Sequence, residues 1–227
     1  MEDSIYPRGQ AASVAEAGYQ ADAIQALARD VLAGDVRRAR EGLRTRLEEG
    51  VSVESLLLDH LAPAARFIGR LWESDRVAFM EVTASVGRLA DLEREFGGEA
   101  LPPLRAGESP RVLLAPVPGE QHTFGLSLIG TLLHRDGWDV SGTPSSAEEA
   151  LLTAAGAGWY EVIGLSLGCE RNVSAAEDVV PALRAASLNH GVRIVIGGAL
   201  MARRPGLAAD LGAETAPGNL RTLLPVT

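Results

Sequence analysis

The sequence predicts an α/β protein in two parts, a helical bundle over residues 19–97 and a doubly wound parallel sheet over residues 111–227. Apolar residues recur at helical steps as far as about residue 96. A stretch rich in glycine and proline follows. Beyond it, short apolar runs alternate with segments of helix length, the pattern of a parallel sheet covered on both faces.

Residues 1–18 hold Pro7, Gly9 and Gly18 and read as a flexible lead-in. Gly34-Asp35 and Gly50 to Ser52 punctuate the helical half, with Asp35 and Ser52 as candidate N-caps. Val53, Leu57, Leu61, Ala64, Ile68 and Leu71 give one helix an apolar face, which Pro63 is expected to kink or restart. Phe79, Val82, Val86, Leu89 and Phe96 form a second stripe. Four helices with short loops make a small bundle. Residues 98–110, with Gly98, Pro102, Pro103, Gly107 and Pro110, read as a linker. Strands are expected at Arg111–Pro116, Trp138–Ser141, Val162–Leu167 and Arg193–Ile196, with a weak fifth near Glu214–Ala216.

Composition narrows the function. A net charge of −9 argues against a broad nucleic-acid surface, because a duplex repels an acidic protein. The run Arg37, Arg38, Arg40, Arg44 and Arg46 reads as the solvated face of a helix. Aromatic residues make up 4%, so the cores should rest on Leu, Val, Ile and Ala. Cys169 has no disulfide partner and is expected to be a small buried residue, and no metal-type Cys/His spacing exists. No apolar run is long enough to span a bilayer and acidic residues follow Met1, so a cytoplasmic protein with no membrane partner is expected.

In a doubly wound sheet, ligands bind beyond the carboxyl ends of the strands. Three such ends are unusual here. Pro118-Gly119-Glu120-Gln121-His122-Thr123-Phe124-Gly125-Leu126 follows the first strand, Ser166-Leu167-Gly168 closes the third, and Gly197-Gly198 closes the fourth. Glycine lets a ligand approach the backbone, and histidine is a natural metal ligand. Gly164 to Gly168 also matches the Gly-x-Ser-x-Gly nucleophile elbow. The later His190 falls at the amino end of a strand, on the wrong edge for a hydrolase. His60, His134 and His190 are expected to be structural.

These elements resemble the cobalamin-binding domain of methionine synthase, mutases and corrinoid carriers, whose signature is Asp-x-His-x-x-Gly, then Ser-x-Leu, then Gly-Gly. His122 and Gly125 match the first element, Ser166 follows after 40 intervening residues, and Gly197-Gly198 follow after a further 28 residues beyond Gly168. The resemblance implies a Rossmann-like domain in which His122 ligates cobalt from below. The cofactor's dimethylbenzimidazole would be displaced into a slot formed by Gly125, Ser166, Gly197 and Gly198. Two positions depart from the signature. Glu120 replaces the aspartate that holds the imidazole, so its longer side chain is expected to reach the ring differently and the ligation to be weaker or more exchangeable. Gly168 replaces leucine and leaves a more open floor.

Related proteins place a helical bundle over the upper corrin face, and Trp72 is the residue expected there. The light sensors' motif of Trp, nine residues and Glu-His is not met, since Trp72 is followed by Glu81-Val82. Phe79-Met80-Glu81-Val82-Thr83, Gly87-Arg88-Leu89, and Glu120, Gln121, His122, Thr123, Gly125 and Leu126 look closer to the AerR/PpaA photosynthesis anti-repressors and the related heme-or-cobalamin domain of AppA. That resemblance covers roughly residues 50–225. It implies a non-enzymatic, light-responsive regulator that binds adenosyl-, methyl- or hydroxocobalamin and acts on a PpsR/CrtJ-type repressor. The alternatives are a corrinoid methyl carrier and a heme sensor with His122 on iron.

Overall fold

The computed structural model describes residues 14–98, 109–143 and 146–215, which fall into two compact units dividing at Glu93–Arg94. Residues 1–13 of the expected lead-in and 99–108 of the expected linker lie outside the described residues. The first helix starts at Val14, so the last residues of the expected lead-in are helical.

In the first unit, α1 (Val14–Ala33) ends at Gly34, whose φ of +77° suits a residue without Cβ. Asp35 then caps α2 (Val36–Glu48) by accepting from the Arg38 N–H at 3.0 Å. Ala39 and Leu43 face inward, while Arg37 pairs with Glu41 at 2.8 Å and Arg46 with Glu49 at 2.9 Å. The arginine run is therefore a locally paired helix face.

Ser52 accepts from the Ser55 N–H and opens a helical stretch in three pieces: α3 (Val53–Ser55), a π segment (Leu56–Leu61) and α4 (Ala62–Glu73). The expected disturbance at Pro63 takes this form. Pro63 lacks an N–H and its ring crowds the carbonyl one turn back, and the chain answers with a wider turn just before it rather than a break. Leu56, Leu57, Leu61, Ala64 and Ile68 are all fully buried, each of the larger ones contributing about 1.5–3 kcal/mol by leaving water.

Helix α5 (Phe79–Gly97) buries Leu89, Leu92 and Phe96, and Arg88 donates to the Val31 carbonyl at 2.9 Å, satisfying the end of α1. Phe79 does not join this stripe: it is 64% exposed, because it sits at the first residue of the helix, beside the still more exposed Met80. No helix among the described residues is long and apolar enough to cross a membrane.

The second unit is a five-stranded parallel sheet in the order β2-β1-β3-β4-β5, made of β1 (Arg111–Pro116), β2 (Asp139–Gly142), β3 (Val162–Ser166), β4 (Arg193–Gly197) and β5 (Glu214–Thr215). The order reverses at β1/β3, which is where such sheets place ligands. Because side chains alternate along each strand, Val112, Leu114, Val162 and Val195 cluster with Leu133 of α6 (Phe124–Arg135) on one face. Leu113, Ile163, Leu165, Ile194 and Ile196 pack against α7 (Glu148–Gly156) and α8 (Val173–Ala186) on the other. Strand β2 begins one residue later than expected, as Trp138 is a buried anchor before it. Two short helices, α9 (Ala199–Arg203) and α10 (Leu207–Asp210), join β4 to β5.

Candidate functional site

Strand register brings the three unusual strand ends together. Pro116 lies beside Ser166, and Ser166 beside Gly197. The pairing runs one step past the strands, with the Val117 N–H on the Ser166 carbonyl at 3.0 Å and the Leu167 N–H on the Gly197 carbonyl at 2.9 Å. Gly119, at φ +81°, turns the chain so that Glu120 points back into the protein.

Glu120 is 1% exposed, and its carboxylate is surrounded by donors. Oε1 accepts from the N–H of Gln121 (2.9 Å), the N–H of His122 (3.0 Å) and His122 Nδ1 (2.5 Å). Oε2 accepts from the Gly168 N–H (2.8 Å) and Asn172 Nδ2 (3.2 Å). Burial alone pushes this carboxyl up. The Gly168 and His122 backbone N–H groups and the His122 and Asn172 side chains outweigh it and hold the group down at about 2. An ionised carboxylate only accepts, so His122 Nδ1 carries the proton, and Nε2 is the ring nitrogen that can offer a lone pair to a metal.

The His122 side chain is 63% exposed, and among the described residues Nε2 makes no hydrogen bond. The ring is thus held from one side by a buried acid and offers its other nitrogen outward, the arrangement of a histidine that ligates a metal through Nε2. Despite its extra length Glu120 reaches the ring through Oε1 and is itself fixed by backbone donors.

The other expected residues divide into groups. Gly125, on the first turn of α6, and Gly197 have open space where a Cβ would sit, so both leave room for a bulky group. Gly198 is demanded by the backbone, with φ +112° and a would-be Cβ only 2.5 Å from the Leu167 carbonyl oxygen. Ser166 is 9% exposed, and its hydroxyl donates to the His122 carbonyl at 3.4 Å, so it braces the loop and faces no base, which argues against the nucleophile elbow. Gln121 and Thr123 are exposed and act through the backbone, Gln121 by its N–H to Glu120 and Thr123 by its carbonyl to the Ser127 N–H. Leu126 packs against the α6-side core. Trp72 belongs to the first unit, 44% exposed at the end of α4, its ring centroid 6.4 Å from that of Phe79.

Two residues escaped the sequence reading. Asn172 is 6% exposed and holds Glu120 across 52 positions, and nothing in its local sequence signals this. Cys169 is half-buried rather than buried, with Sγ 3.9 Å from His122 Nδ1. Among the described residues, Glu120, His122 and Cys169 bring ligand-type atoms within 4.8 Å of one another, which spacing along the chain did not reveal. With Glu120 saturated by donors and Nδ1 protonated, the nitrogen left for an incoming metal is Nε2.

The chemistry of this donor set fits a cobalt tetrapyrrole: an imidazole oriented through Nδ1, an ionised acid behind it, and a rim of glycines. Comparison with known proteins agrees. Residues 110–218 match the B12 binding domain family, and residues 23–86 match a second family model, also described as a B12 binding domain. The chain is 30% identical over 181 residues to an uncharacterized 20.5 kDa protein in the bchF-crtJ intergenic region of Rhodobacter capsulatus, covering 77% of this chain and 91% of that protein. Its fold is similar to that of the Methanosarcina barkeri monomethylamine corrinoid protein, with a TM-score of 0.70 at 15% identity over 89% of this chain and 95% of that one. From its first helices to its glycine-rimmed sheet edge, the chain belongs to the family of B12 binding domain proteins.

Proposed function

We propose that the protein is a cobalamin-responsive regulator without catalytic activity of its own. His122 would hold the cobalt through Nε2, and Gly125, Ser166, Gly197 and Gly198 would line the slot for the cofactor's dimethylbenzimidazole. The observation that carries this reading is the His122–Glu120 contact, which fixes the tautomer a metal-bound imidazole needs. Trp72 covers the upper face in this reading.

When bound, an alkylcobalamin would supply a light-sensitive group, so that the dark and illuminated forms of the complex differ. The helical unit then makes different contacts in the two states, and a DNA-binding repressor of the PpsR/CrtJ type reads the difference. The location of the Rhodobacter capsulatus relative, in the bchF-crtJ intergenic region, supports such a partner. The acidic charge of −9 suits action through a protein rather than on DNA.

The test is absorption spectroscopy of purified protein mixed with adenosyl-, methyl- and hydroxocobalamin, in the dark and after illumination. Wild type is expected to shift the cobalamin spectrum, and His122→Ala to bind at least about tenfold more weakly. An unshifted spectrum, or a His122→Ala variant that binds as tightly, removes the reading.

A second reading, a corrinoid methyl carrier, gains from the firm Glu120–His122 contact, since a carrier needs a well-held ring to tune its cobalt. Methyl transfer from the methylcobalamin-loaded protein to a thiol, in the presence of a partner enzyme, would favour it. A Soret band in protein from cells replete with both cofactors would instead favour heme on His122.

A further inference from the structure

Gly168 stands apart from the other glycines of the site. Gly119 and Gly198 have positive φ, but Gly168 does not, so its backbone is open to any residue. A glycine in such a place costs stability, because its unfolded chain is freer by about 0.4–1 kcal/mol than that of alanine. The space around it shows what it serves. A Cβ at this position would lie 3.2 Å from Glu120 Oε2, 3.4 Å from His122 Nδ1 and 3.6 Å from Glu120 Cδ. All three atoms belong to the acid–imidazole pair.

Nor can that pair retreat easily. Oε2 is held by the Gly168 N–H itself at 2.8 Å and by Asn172, while Oε1 is held by the Gln121 and His122 N–H groups and Nδ1. Moving the carboxylate by the few tenths of an ångström that a Cβ requires stretches bonds on both oxygens. An aspartate at 120, shorter by one C–C bond of about 1.5 Å, would draw the carboxylate away from position 168 and vacate that space.

We propose that Gly168 is a positioning residue for His122, leaving the volume that Glu120 needs to hold the ring through Nδ1, so that positions 120 and 168 are matched in size and act as one unit. This deepens the reading of His122 as the cobalt ligand and rests on it only for the cofactor arm of the test. It also gives the two departures from the family signature a single cause, a longer acid and a missing side chain facing each other.

The test is a double-mutant cycle in the full chain, with wild type, Gly168→Ala, Glu120→Asp and the double variant. One arm, without cofactor, follows the His122 Nδ1 proton by NMR on protein labelled with 15N-histidine. The other titrates hydroxocobalamin and follows its absorption spectrum. Each single variant is expected to weaken the Nδ1 proton signal and lower affinity about tenfold, the usual effect of disturbing a group that orients a metal ligand. The double variant is expected to regain the Nδ1 signal and to recover most of the lost affinity, rather than to lose about a hundredfold. Losses that multiply, or a Gly168→Ala variant with an unchanged Nδ1 signal, overturn the inference. If wild type fails to bind hydroxocobalamin, the cofactor reading falls, and the NMR arm alone decides whether 120 and 168 are coupled.

Discussion

Replacing Glu120 with glutamine keeps the length of the side chain and removes its charge. In the wild type burial works against the carboxylate, but the donors around it bring the group from its ordinary 4.5 to about 2. Each pH unit of difference between folded and unfolded chains corresponds to about 1.4 kcal/mol, so the ionised form contributes about 3 kcal/mol to the second unit. Because the value is lowered on folding, that contribution is present above about 4.5 and is lost as the pH falls towards 2. Glutamine has no such dependence. Its amide nitrogen must also face either the two donors on Oε2 or the three on Oε1, leaving at least one buried N–H without an acceptor at a cost of about 1–3 kcal/mol. Glu120→Gln should therefore be less stable than wild type by about 3 kcal/mol at neutral pH, and the gap should close as the pH falls from 5 to 2. Urea unfolding read by the buried Trp138, in a Trp72→Phe, Trp159→Phe background, measures this directly. Parallel stability curves for the two proteins across that range would refute the account of the carboxylate.

Gly198→Ala forces a Cβ to within 2.5 Å of the Leu167 carbonyl oxygen at a φ of +112°, and should lower the stability of the second unit by at least about 2 kcal/mol in the same assay. Asn172→Ala takes one donor from the buried carboxylate; it should cost about 1–2 kcal/mol and loosen hydroxocobalamin severalfold by titration, with His122 itself intact. Trp72→Ala, at a side chain 44% exposed, should change stability by under about 1 kcal/mol. If Trp72 covers the upper face, the same variant should bind adenosylcobalamin more weakly while binding hydroxocobalamin nearly as well. Equal effects on both cofactors would remove it from that role.

The sheet was legible because a parallel strand buried on both faces is a short unbroken apolar run, and RVLLAP and VIGLS are such runs. The histidine loop was legible for a related reason: an imidazole and several glycines at strand ends have little to do in a plain core. The π segment was not, because its apolar residues recur at steps that an unbroken helix would also show. Asn172 was hidden because its role is a contact across 52 positions, which no local pattern encodes. How Glu120 meets the ring could not be read from side-chain length alone, because its carboxylate is placed by donors from Gly168 and Asn172, far along the chain. Phe79 fitted a helical stripe by number yet fell at the helix start, beyond the packed region.

The wider turn at Leu56–Leu61 holds one residue more than an α turn without breaking the helix around it. Successive residues of an α-helix point about 100° apart, so taking one residue out of those six, and letting the turn tighten, would leave the tryptophan at the far end facing as it does, whereas the same deletion within α4 would swing it by roughly that angle about the axis. The surplus residue is thus the one place in this helix where the chain can shorten without turning the exposed indole.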